Sequence, residues 1–152
     1  MTVTGEQIVA EARRWLGTDF RPKGRLLGHG LDCVGLPLMI AEALGLHDKN
    51  GVRLNGACYS TYSDQPLRTY VHDMCLKHLV VKPVREMKPG DILTLNVSTF
   101  PCHVAIVGEH PKHGLTLIHA YSGGPGKVVE HLIDIKWRRR IAGCFKFPEV
   151  EK

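Results

Sequence analysis

An α+β fold is predicted by two features of the sequence. Apolar residues recur at helical spacing through the first half, and after the turn signal Met87-Lys88-Pro89-Gly90-Asp91 the pattern changes to short β-rich runs. Helices first, then a meander of antiparallel strands, is the order such folds adopt. The 152 residues suit a single domain, 1–152, large enough to bury about 68–70% of its unfolded surface.

Thr4 is the N-cap of the first helix, with Gln7 as its capping-box partner. Ile8, Val9, Ala12, Trp15 and Leu16 follow at helical spacing, and Gly17 ends the helix. Residues 18–30 hold three glycines and a proline and read as a structured loop. The loop leads into Gly30-Leu31-Asp32-Cys33-Val34-Gly35-Leu36, where Asp32 is placed to cap a second helix. Val34, Leu36, Leu38, Met39, Ile40, Ala43 and Leu44 make that helix the buried central one, closed by Gly45. Pro37 falls slightly late for a first turn, which predicts an irregular start or a kink. Residues 46–63 form an irregular excursion, and Asp64 caps a third helix over 64–79. Five strands are predicted, at 92–95, 104–107, 115–118, 127–130 and 141–147.

Composition narrows the partners. A hydrophobic share of 43% and a charged share of 23% argue against disorder. The net charge of +5 permits an anionic partner without identifying one, and no nucleic-acid recognition module is visible. Lys136-Trp137-Arg138-Arg139-Arg140 reads as a solvated strand end or turn, with an anionic polymer surface as the alternative. Five scattered cysteines, at 33, 58, 75, 102 and 144, with no C-x-x-C pair, fit thiols in a reducing cytosol. The N-terminal stretch lacks the basic start and apolar core of a signal peptide, and no run reaches membrane-spanning length. Synthesis in the cytoplasm and no membrane insertion are expected.

Cys33 sits where unpaired backbone N–H groups and the partial positive charge of a helix start favour a thiolate. A single cysteine there is more often a small buried residue, so a base and an orienting group must come from elsewhere. With a hairpin turn centred near Pro111, Val107 faces Leu115, Ala105 faces Leu117 and His103 faces His119, within reach of ring-to-ring hydrogen bonding. One thiol and one histidine pair are the parts of a Cys-His-His triad. One imidazole takes the thiol proton and later protonates the leaving amine, and the second fixes its tautomer. A metal site built from Cys102, His103, His110 and His113 is disfavoured, because strand alternation turns Cys102 away from His103. No metal and no cofactor is expected.

The ordered set Trp15-Leu16-Gly17-Thr18, Leu31-Asp32-Cys33-Val34-Gly35-Leu36, Lys88-Pro89-Gly90-Asp91-Ile92, His103-Val104-Ala105-Ile106-Val107 and Leu117-Ile118-His119-Ala120 resembles the NlpC family of papain-like cysteine peptidases. Those enzymes cleave amide bonds in peptidoglycan stem peptides. The ending over 127–148 resembles the phage-encoded, tail-associated branch, which implies phage tail proteins as partners and virion association or delivery to the cell wall by another route.

The resemblance implies a papain-like fold, with the nucleophile at the start of a central buried helix packed on a five- to six-stranded antiparallel sheet. It assigns Cys33 as nucleophile, His103 as base and His119 as the orienting polar residue, with Asp32 serving the helix start. Two positions depart from the family pattern. Phe20 stands where many members carry a tyrosine whose hydroxyl lies near the thiol, and Val34 replaces the usual serine.

The loops over 20–30 and 47–63 are the expected cleft walls. They supply Phe20, Arg25 and Tyr59 as substrate-binding candidates, with Tyr62 an alternative hydroxyl and Arg21 and Lys23 further cations for an anionic peptide. Two other readings use the same scaffold: a structural or assembly module of a phage tail, and a thiol acyltransferase or esterase.

Overall fold

Thr4 takes extended backbone and its hydroxyl accepts the Gln7 N–H at 3.1 Å, while the Gln7 side chain accepts the Thr4 N–H at 2.8 Å. This reciprocal cap starts α1, Gly5–Arg13, in a computed structural model that describes residues 2–57, 70–97, 101–122 and 126–150. The helix ends three residues before the expected Leu16. The N–H groups of Arg14, Trp15 and Leu16 bond three residues back, tightening the last turn, and Gly17 at φ +86° gives its N–H to Val128 on the sheet.

The loop that follows contains a small hairpin, β1 (Arg25–Leu26) with β2 (Gly30–Leu31). Cys33 and Val34 form a turn before α2, Gly35–Leu44, so the irregular start expected from Pro37 is present. Pro37 itself falls in the first turn of α2, where its missing N–H forgoes a single bond, the one to the Cys33 carbonyl that would follow the Leu36 N–H bond to Asp32. Gly45 closes the helix in the left-handed conformation, at φ +68°. The third helix is described as α3, Tyr70–His78, and the first part of its expected range lies outside the described residues.

The strands are β3 (Val80–Lys82), β4 (Ile92–Asn96), β5 (Pro101–His110), β6 (Gly114–Tyr121), β7 (Lys127–Leu132) and β8 (Ile141–Lys146). They form a six-stranded antiparallel sheet in the order β3-β8-β4-β5-β6-β7. All five predicted strands are present. Two features correct the expected plan: β3 is an additional strand, and β8 leaves the meander to insert between β3 and β4. The stretch read as a strand end or turn contains a short helix, α4 (Ile135–Arg138), capped by Asp134, whose carboxylate accepts the Trp137 N–H.

The hairpin register also differs from expectation. Val107 pairs with Leu117 and His110 with Gly114, which centres the turn on Lys112 rather than Pro111, with Gly114 at φ +100°. Partners shift by two residues, so every side chain keeps its face. His103 and His119 become diagonal neighbours, and the extended register sets Tyr121 opposite His103.

One face of the sheet carries the main core. Ile92, Val104, Ile106, Ile118, Phe145 and Phe147 meet Ile8 and Ala12 of α1, Leu36 and Ile40 of α2, and Val71 of α3. The other face carries a smaller cluster, Leu93, Leu95, Ala105, Val107, Leu117 and Cys144, covered by Ile133 and Trp137. No described helix is long and apolar enough to cross a membrane.

Candidate active site

Asp32 organises the segment that carries Cys33. One carboxylate oxygen, Oδ1, accepts the Gly35 N–H at 2.8 Å and an Arg25 Nη1 hydrogen at 2.7 Å, and Oδ2 accepts the Lys23 N–H at 2.7 Å. The Leu36 N–H reaches the Asp32 carbonyl, so the capping turn begins at Asp32 and contains Cys33. Lys23 is held at φ +60°, a conformation unusual for a residue with a Cβ, and its bond to Asp32 helps to hold it there. Cys33, Cys75 and Cys144 are not in disulfides, and Cys33 is partly accessible. Burial pushes the Cys75 thiol up to about 12, with the nearby Cys33 adding to the shift.

The histidines come together on the face of the sheet opposite α1, α2 and α3, where α4 packs. Leu95 pairs with His103 and Leu117 with His131, so these side chains share a face with the second cluster. His103 Nε2 lies 2.6 Å from His119 Nδ1, and both rings are buried. Burial pushes His103 down to about 3. His119 falls to about 2, chiefly through burial and then through the neighbouring His103 and His131. Both imidazoles are therefore neutral at physiological pH.

Sheet pairings continue from this end of the sheet to Cys33. Where β5 begins at the His103 end, β6 finishes at Tyr121, which pairs with Lys127. Lys127 bridges to Asp19, Phe20 bridges to Leu31, and Cys33 follows two residues on. The strand-like pieces at 19–20 and 31 thus extend the sheet from β7 round to the start of α2. On the helix side, Val34 and Val104, the residues after Cys33 and His103, line one apolar cavity with Leu38, Tyr70 and Cys75.

Of the expected substrate contacts, Phe20 packs partly buried against the main core and bridges Leu31 through its backbone. Arg25 is 14% exposed and gives Nε to the Gly56 carbonyl and Nη1 to Gly24 and Asp32, leaving Nη2 as its buried nitrogen without a hydrogen-bond partner. Tyr59 and Tyr62 lie outside the described residues. Among the described residues no group of three or more His, Cys, Asp or Glu side chains is arranged to hold a metal ion.

The sequence reading omitted three members of this cluster. His131 Nε2 lies 2.8 Å from His119 Nε2, Tyr121 stacks on His119 at 5.4 Å, and Trp137 meets both His119 and His131 edge-on or tilted at 5.1 Å. Extending strand alternation from β6 onto β7 would have brought in His131, which shares a face with Leu117. Trp137 carried no such signal, since it reaches the cluster from a helix beyond the sheet.

This architecture is the NlpC/P60 papain-like fold. In a comparison with solved structures, the chain is similar to an NlpC/P60 family protein from Bacillus cereus, with 15% identity and a TM-score of 0.65 over 97% of this chain and 41% of that one. It is similar to the NlpC/p60 domain of the peptidoglycan hydrolase SagA, with 22% identity and a TM-score of 0.57 over 95% and 100%. A third similar structure is an N-acetylmuramoyl-L-alanine amidase from Bacteroides uniformis, with 14% identity and a TM-score of 0.52 over 93% and 96%. The chain thus spans less than half the length of the Bacillus cereus protein. No protein-family model matches the sequence, and no curated protein does either.

Proposed function

We propose that the chain is a cysteine hydrolase that cleaves amide bonds in peptidoglycan stem peptides, with Cys33 as nucleophile, His103 as base and His119 as the group that orients it. The observation that carries this reading is the buried 2.6 Å hydrogen bond between His103 and His119, at the end of the sheet that leads round to the Cys33 turn. Fold neighbours that include a peptidoglycan hydrolase domain and an N-acetylmuramoyl-L-alanine amidase support the substrate class.

In this mechanism the Cys33 thiol gives its proton to the His103 imidazole as sulfur attacks the scissile carbonyl carbon. Backbone N–H groups of the helix start stabilise the oxyanion that forms. Collapse breaks the C–N bond, the His103 imidazolium gives its proton to the departing amine, and a thioester remains. Water then attacks the thioester, its proton passing to His103, and the carboxylate product leaves with the Cys33 thiol restored. Phe20, Tyr59 and Arg25 belong to the substrate wall in this proposal. Association with a phage tail also belongs to it, supported by the resemblance of residues 127–148 alone.

The test is incubation of purified murein stem peptides with the protein and with Cys33→Ala, the products being read by mass spectrometry. Cleavage by the parent protein, lost in a variant of unchanged circular dichroism, is the expected result. Equal cleavage by both proteins would remove Cys33 from the chemistry. No cleavage by the parent would favour the structural tail module, and transfer to an added amine faster than hydrolysis would favour an acyltransferase.

A further inference from the structure

We infer that His131 is a positioning residue: it is the terminal acceptor of a three-histidine chain that sets which nitrogen of His103 carries the proton. This inference rests on the proposed function, in which His103 is the base. One atom in the chain has an unambiguous role. His131 Nδ1 lies 3.0 Å from the Leu132 carbonyl oxygen, and a carbonyl only accepts, so Nδ1 carries the hydrogen. In neutral His131 the other nitrogen, Nε2, is then an acceptor.

The remaining assignments follow one after another. His119 Nε2, 2.8 Å away, donates to His131, which makes His119 Nδ1 an acceptor. His103 Nε2, 2.6 Å from that atom, donates to it, and His103 Nδ1 is left with its lone pair. The base therefore presents an unprotonated Nδ1 to take a proton from a thiol. Neither buried ring selects this arrangement by itself, because the His103–His119 bond forms equally well with the hydrogen on either nitrogen. His131 breaks the tie from the sheet's edge strand, β7, where it is half-buried. Trp137 packs on both His119 and His131 and holds their rings in register.

Protonation of His131 reverses the chain. A hydrogen on its Nε2 faces His119, which must then accept there and donate through Nδ1. His103 must in turn accept at Nε2 and carry its hydrogen on Nδ1, where it can no longer act as a base. The charged and titratable groups around His131 are His119 on β6, the cleft residues Arg13, Glu109, His110 and Glu130, and Arg140, which stacks on Trp137 at 4.6 Å.

The experiment compares His131→Leu and His131→Gln with the parent protein by steady-state kinetics on a murein stem peptide and by NMR of the histidine ring nitrogens. In His131→Leu, kcat falls by on the order of tenfold or more while KM changes little, since a base held in the wrong tautomer loses rate rather than binding. His131→Gln, whose amide oxygen accepts the same bond, recovers most of that rate, and the acid limb of its kcat profile moves to lower pH. The ring nitrogens of His103 and His119 report the Nε2–H tautomer in the parent and a mixture in His131→Leu. An unchanged kcat in His131→Leu, an unmoved acid limb in His131→Gln, or ring-nitrogen signals indifferent to position 131 would each overturn the inference. A parent protein without turnover would sink the proposed hydrolase, and the NMR comparison would still decide the role of His131.

Discussion

Cys33 and the other described cysteines differ in environment, and that difference is measurable. Cys75 and Cys144 are buried, and burial pushes both thiols up to about 12; at Cys144 the nearby Asp91 carboxylate adds to the effect. Cys33 lies partly accessible in the capping turn of α2. We expect iodoacetamide at pH 7 to label Cys33 faster than Cys75 or Cys144 by on the order of tenfold or more, since only thiolate reacts. Peptide mapping by mass spectrometry resolves each site. His103→Ala should slow labelling of Cys33 and leave the other two unchanged; equal rates in parent and variant would separate the thiol from its proposed base. The placement of Cys33 at a helix start was legible because an aspartate cap followed by an apolar helical run is a local pattern. The placement of His131 beside His119 was not, because a histidine two strands from His103 has no signature until the register is known.

Two elements depend on single contacts that propensity does not anticipate. α1 begins at Gly5, where a Cβ would lie 2.1 Å from the Pro89 carbonyl oxygen, because the helix start rests on the turn at Gly90, itself at φ +96°. Helix propensity favours alanine over glycine by about 1 kcal/mol, yet overpacking against fixed backbone costs about 1–3 kcal/mol or more. We expect Gly5→Ala to lower the urea midpoint; a rise would mean that the helix start moves freely from the turn. At the second helix, Asp32 is 2% exposed and Arg25 14%, and their ion pair ties the small hairpin to the start of α2. Asp32→Ala leaves a mostly buried guanidinium without its carboxylate and removes the Gly35 cap, for an expected loss on the order of 3–5 kcal/mol. Asp32→Ala combined with Arg25→Leu should lose less than Asp32→Ala alone, as read from urea unfolding.

The buried histidine pair makes the stability of the whole molecule depend on pH. Unfolded, each imidazole titrates near its ordinary 6.5, whereas folded His103 is pushed down to about 3 and His119 to about 2. Between these limits the unfolded chain binds more protons than the native one. Stability therefore falls as pH is lowered below about 6.5, by up to about 1.4 kcal/mol per pH unit for each histidine. Above about pH 7.5 the pair contributes no slope. Burial opposes ionisation of the Asp48 and Glu130 carboxyls, but hydrogen bonds together with His78 and Arg13 respectively outweigh it and hold both below their usual range, which leaves the upper part of the window to histidines. Urea unfolding at pH 7.5, 6.0 and 5.0 should show a smaller acid loss in His103→Gln/His119→Gln than in the parent protein. Matching slopes would mean that the native pair titrates as freely as the unfolded one.

By itself the sequence determined the features that repeat over short distances. The Thr4–Gln7 cap, the Asp32 cap, the placing of α1, α2 and α3 before the six-stranded sheet and the five strand positions all follow from neighbours within a turn or from a period of two or 3.6. The shared face of His103 and His119 was equally legible, since a register shift of two residues preserves parity. Tertiary structure alone decided what joins distant segments. It inserted β8 between β3 and β4, extended the sheet through 19–20 and 31 to the Cys33 turn, and added His131 and Trp137 to the histidine pair. The physical reason is that periodicity specifies which face of an element is apolar but not which strand lies beside it. That choice is made by backbone hydrogen bonds and packing between residues far apart in the chain, and only the folded molecule brings them within reach of one another.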